Sequence, residues 1–143
     1  MSLSSFDVTP SSRQLNGTWH IDFSLLHKGP KVKCFPCGSA AVSVRYKGTY
    51  LAGVTLHAFR VPVNHLIPLE AKVDASRSDV PGWLARDLME ARTLGVVEFE
   101  VQFVTKYYTW HNTYLCRGLR LGISTGKEAK LIGDDHVRCP FIG

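Results

Sequence analysis

The stretch AAVSVRYKGTYLAGVTLHAF, Ala40 to Phe59, decides how this chain folds. Val42, Val44 and Tyr46 alternate with Ser43, Arg45 and Lys47, a period of two that puts the apolar side chains on one face of an extended strand. Lys47-Gly48-Thr49 supplies a corner with a glycine. Tyr50-Leu51-Ala52-Gly53-Val54 then returns as a second apolar run rich in β-favouring residues. The stretch predicts an antiparallel hairpin.

Toward the N-terminus, residues 1–5 read as a flexible start, Phe6 to Val8 as a short edge strand and Thr9-Pro10-Ser11-Ser12 as a turn. Trp19, Ile21, Phe23 and Leu25 share one face and His20, Asp22 and Ser24 the other, which predicts a half-buried strand that Gly29-Pro30 ends. Lys28 to Gly38 reads as an irregular basic loop. Beyond the hairpin, Pro62 breaks the pattern, and Ile67, Leu69, Ala71 and Val73 alternate with polar residues and Pro68. That makes a strand whose proline end belongs at a sheet edge, because proline has no N–H to give a ladder.

One helix is predicted, with Asp79 as its cap, Pro81 in its first turn and Gly95 at its end. Leu84, Leu88 and Ala91 form its apolar stripe with Trp83 beside it, the pattern of a lid on the end of a sandwich. Val97, Phe99, Val101 and Phe103 then alternate with Glu98, Glu100 and Gln102. Tyr107-Tyr108-Thr109-Trp110 reads as an aromatic corner. Leu115, Leu119, Leu121 and Ile123 are read as one side of the next strand, with Tyr114, Cys116 and Arg120 on the other. Gly126 and Gly133 punctuate a loop, and Val137, Cys139 and Phe141 read as a closing strand. About seven strands with one short helix predict an all-β antiparallel sandwich, immunoglobulin-like or fibronectin-III-like, forming a single domain over residues 1–143; a closed barrel is the alternative.

Composition narrows the function. The formal charge of +5 is spread along the chain, and no run of lysine and arginine forms a nucleic-acid footprint. No window approaches the ~18 apolar residues of a membrane span, and the first residues lack the basic start and apolar run of a signal peptide. There is no phosphate loop, dinucleotide fingerprint or G-x-S-x-G elbow, so no cofactor and no catalytic residue are assigned.

Three features carry chemistry. Cys34-Phe35-Pro36-Cys37 has the C-x-x-C spacing of thiol oxidoreductases and of half a zinc site, but it lies between strands with no helix to lower a thiol pKa and no matched second pair of ligands. A structural disulfide in an oxidising compartment is the simpler reading. Cys116 and Cys139, both on predicted strands near the C-terminus, can pair, although four cysteines allow three connectivities. Glu98 and Glu100 stand two apart like a glycosidase pair, yet their alternation with core residues makes them a solvated sheet face. Asn16-Gly17-Thr18 is an N-glycosylation triplet in a secretory compartment and otherwise a turn before the Trp19 strand.

Taken in order, F-x-V at Phe6, L-N-G-T-W-H-I-D-F-S-L, A-A-V-S-V-R-Y-K-G-T-Y-L-A-G, V-E-F-E-V-Q-F, L-C-R-G-L-R-L-G-I and a terminal V-R-C-P-F resemble the plant late embryogenesis abundant group two domain of the hairpin-induced and non-race-specific disease-resistance-like proteins. The resemblance runs from Phe6 to Phe141, and its most specific parts are Val44 to Gly48 and the paired Cys116 and Cys139. It implies a fibronectin-like sandwich without enzymatic activity, held outside the plasma membrane by an upstream transmembrane helix and serving defence or stress. The family's Asn-Pro-Asn segment is replaced by His27-Lys28-Gly29-Pro30, followed by the added Cys34 and Cys37, which marks a divergent member. The expected function is therefore that of an extracellular interaction domain that binds a protein or cell-wall partner. The alternative, motivated by the aromatic corner, is a cytosolic sandwich that binds an apolar ligand or lipid.

Overall fold

The computed structural model describes residues 1–26, 39–57, 66–107, 110–125, 127–133, 137, 139, 140 and 142. Among the described residues eight strands and one helix follow in the order β1 (Ser2–Thr9), β2 (Gln14–Leu26), β3 (Ala40–Tyr46), β4 (Thr49–Leu56), β5 (Leu66–Asp79), α1 (Gly82–Leu94), β6 (Val96–Tyr107), β7 (Trp110–Thr125) and β8 (Glu128–Leu131). The strand pairings among the described residues are all antiparallel, in the order β4-β3-β6-β7-β8-β1-β2-β5. The fold is all-β with one short helix, as the alternation predicts.

The sheet folds over at the β7–β8 ladder. One leaf is β4-β3-β6-β7 and the other is β8-β1-β2-β5. Aromatic contacts between the leaves prove that they face each other: Trp19 of β2 meets Phe99 of β6 edge to face at 5.5 Å, and Phe23 of β2 meets Phe103 of β6 at 5.4 Å. The end strands β4 and β5 pack together without a ladder between them, so the architecture lies between a sandwich and a barrel. Pro68 sits on β5, the terminal strand, where its missing N–H leaves no gap in a central ladder.

The hairpin forms as read. Lys47 and Gly48 both have positive φ, 47° and 81°, which is the backbone of the tight hairpin turn that matches the twist of its strands. A register shift lets β4 carry one extra residue near Arg45, so Leu51 and Ala52 are both buried where strict alternation would expose one.

Several boundaries differ from the sequence reading. Residues 2–5 are no flexible start: they belong to β1, which pairs with β2 on one side and β8 on the other and so is no edge strand. Asn16-Gly17 is no turn, since β2 already begins at Gln14. Asp79 does not cap the helix. It ends β5, and Pro81 takes the N-cap position with no side-chain cap, its carbonyl accepting from the N–H groups of Leu84 and Ala85 at 3.1 Å each. Gly95 ends the helix as expected, with φ of 87° and its N–H donated back to Ala91 and Arg92. β8 forms where the glycines at 126 and 133 predict a loop. Val137 to Phe141 is assigned no strand among its described residues, although Leu115 N–H donates to Pro140 O and Ile142 N–H to Thr113 O.

The core runs the length of the sandwich. Trp19, Phe6, Phe99, Leu3 and Leu15 are among its largest fully buried side chains. Helix α1 packs on β6 and β1 and seals one end with Leu84, Ala85 and Leu88, the lid its stripe predicts. Two ion pairs hold it there, Lys47–Asp87 at 2.6 Å and Arg92–Asp7 at 3.4 Å.

Candidate functional site

The bulge in β7 decides what the sandwich encloses. Gly118 has φ of 70°, and the register against β6 shifts between Phe99 and Val101, so Arg117 and Gly118 are inserted opposite Glu100. Beyond the shift every side chain changes face. Cys116 now opposes Val101, and Tyr114 opposes Phe103, with their rings 6.3 Å apart. Cys116 and Tyr114 therefore point inward, and Leu115 points out. This corrects the reading that grouped Leu115 with Leu119 and Leu121: it is buried, but it stands apart from the core cluster.

Around these inward residues the two leaves leave a slot of about 100 Å³, partly open to solvent. β2 contributes Ile21 and Phe23, β3 Val42, and β6 Val101 and Phe103. Cys116 and Leu119 of β7, Val137 of the C-terminal segment, and Met1, Asp22 and Leu131 also line it. The slot lies beside the Cys116–Cys139 disulfide, which joins the C-terminal segment to β7 across a Cα–Cα distance of 4.3 Å. Of the connectivities open to the sequence, this pairing is the one formed. Cys34 and Cys37 lie outside the described residues.

The glycosylation triplet is built into the sheet. Asn16 Oδ1 accepts from the backbone N–H of Arg77 at 2.8 Å, where β2 and β5 shift register and Arg77 itself has φ of 48°. Thr18 Oγ1 donates to Asp74 Oδ1 at 2.7 Å, and a Cβ on Gly17 would come within 3.1 Å of Leu3. Asn16 is half-buried on an internal strand, so a sugar there would leave through the Nδ2 side of an amide whose oxygen is already engaged.

Glu98 and Glu100 differ in their surroundings. Glu98 is exposed opposite Arg120, and Glu100 latches the hairpin turn: its Oε1 accepts from Gly48 N–H at 2.9 Å, and Arg117 Nε lies 3.7 Å from its Oε2. Beside them Lys47 donates to Asp87 and lies 5.5 Å from the Tyr46 ring centroid. His20, His57 and His111 are exposed, and His27, His65 and His136 lie outside the described residues, as do Tyr108 and Thr109 of the aromatic corner. Among the described residues no three metal-ligating side chains gather.

Burial pushes the Tyr46 and Tyr114 phenols above their ordinary value of 10.0, and for Tyr46 neighbouring Lys47 opposes the shift while Asp87, Glu90 and Glu98 add to it. The hydrogen bond that Lys47 donates to Asp87 raises its ammonium above 10.5. All three folded-state values lie above the unfolded ones. The stability they contribute is thus fully present below about pH 10 and is lost as pH rises past the unfolded phenol and ammonium values. The urea midpoint should hold steady to about pH 9.5 and fall beyond it, and Tyr46→Phe with Tyr114→Phe should flatten that fall. An unchanged slope in the double variant would refute the assignment.

No known family model matches this chain, and no curated protein matches it in sequence.

Proposed function

We propose that this is a non-catalytic interaction domain displayed on the extracellular side of the plasma membrane, of the kind found in the group two late embryogenesis abundant proteins of plant defence and stress, and carried there by an anchor encoded upstream. The observation that carries the proposal is the Cys116–Cys139 bond. Structural disulfides persist outside the cytosol and are kept reduced within it. The resemblance of Val44 to Gly48 and of the paired cysteines to that family supports the same compartment. The partner is a protein or a cell-wall polymer, met by the outer faces of the leaves. Within the described residues no helix is long and apolar enough to cross a membrane.

The test uses the protein from its own cells, with thiols trapped at the moment of lysis. Peptide mapping should return Cys116 and Cys139 linked, and intact cells should yield the domain to a membrane-impermeant surface label. Both cysteines trapped as free thiols, with no surface labelling, would end the proposal.

A further inference from the structure

We propose that the slot beside the Cys116–Cys139 bond is a binding site for an unbranched aliphatic tail, the apolar end of a small amphiphile whose head group remains in water. The inference concerns the interior of the sandwich and is independent of the compartment and partner proposed above.

Three observations carry it. The first is chemistry: the walls are the apolar side chains of Ile21 and Phe23 on one leaf and Val42, Val101 and Phe103 on the other. Asp22 is the charged residue among the lining residues, and the rest of the lining is apolar or sulfur-bearing, the arrangement that suits a guest with an apolar tail and a polar head. The second is size. An apolar cavity of roughly 150 Å³ takes a benzene ring. This slot, at about 100 Å³, is smaller, which selects a slender chain over an aromatic or fused ring. The third is access and preorganisation. The slot is partly open, and Val137 at its wall is 40% exposed. That wall is fixed to β7 by the disulfide and by the backbone hydrogen bonds of Pro140 and Ile142, so little ordering is required when a guest enters. Helix α1 covers an end of the sandwich with Leu84 and Leu88, both fully buried.

Each methylene moved from water into such a slot tightens binding about fourfold, until the slot is full. Titration with the 1-alkanols from butanol to octanol, followed by the methyl NMR signals of Ile21, Val42 and Val101, should therefore show saturable binding that strengthens with chain length and then levels off. Phe103→Leu enlarges the slot and should move the plateau to longer alkanols. Val42→Ile with Val101→Ile fills it and should weaken 1-hexanol about tenfold. Non-saturating shifts, or a plateau that neither change moves, would overturn the proposal. Should the filled variant not fold, the wild-type plateau and Phe103→Leu still decide. An aliphatic tail can come from a free amphiphile or from a bilayer lipid. Sedimentation with phosphatidylcholine vesicles that 1-octanol competes away assigns it to a bilayer lipid, and absence of sedimentation alongside saturable alkanol binding assigns it to a free amphiphile.

Discussion

Opening the Cys116–Cys139 bond should lower the unfolding free energy by about 3 kcal/mol, from the chain entropy returned to an unfolded loop closed across a sequence separation of 23 residues. In a domain of ordinary stability this is a large share of the total. The effect acts mainly on the unfolded state, so the folded β-sheet should persist on reduction. The change in the native state should be local: the amide of Leu115, which donates to Pro140 O, and that of Ile142, which donates to Thr113 O, should lose exchange protection. Equilibrium unfolding of a Cys34→Ser, Cys37→Ser background, oxidised and reduced, isolates this one bridge. A loss under about 1 kcal/mol would mean that the C-terminal segment is held to β7 by its other contacts and that the bridge contributes little.

Trp19→Ala should cost more, about 4 kcal/mol, and leave the domain at the margin of folding. Trp19 is fully buried at the centre of the contact between leaves, with its ring edge-on to Phe99, and Phe99 in turn touches Tyr46 at 6.1 Å. Truncation opens a cavity where the two leaves grip each other. The indole Nε1 has no hydrogen-bond partner among the described residues. Trp19→Phe therefore sacrifices packing but no hydrogen bond, and its cost should be well below that of alanine. Urea unfolding of both variants decides the point. Equal losses would show that the indole N–H contributes something the geometry does not account for.

Much of the fold is legible residue by residue. Alternation assigns Trp19, Ile21, Val42, Val44, Val97, Phe99, Val101 and Phe103 to the interior, and the structure buries all of them. Lys47-Gly48 and Gly95 fall where the chain must take positive φ. The candidate site is a different matter. A period of two is a local rule that holds only until one residue is inserted, and the insertion at Arg117-Gly118 leaves no mark in hydrophobicity. Unbroken alternation puts Cys116 and Tyr114 outside, whereas the bulge turns both inward. The glycine at 118 was the one available signal, since a lone glycine within a strand pattern marks a bulge.

The sequence by itself determined that this chain makes antiparallel strands with one greasy face, one lid helix and a pair of late cysteines able to join, because those are properties of neighbours along the chain. The tertiary structure alone decided that eight strands form one sheet folded on itself, that Cys116 meets Cys139, and that a slot remains between the leaves. These depend on which strand lies opposite which, and on the extra residues that a partner strand accommodates. Such pairings join residues far apart in sequence, and no local pattern records them.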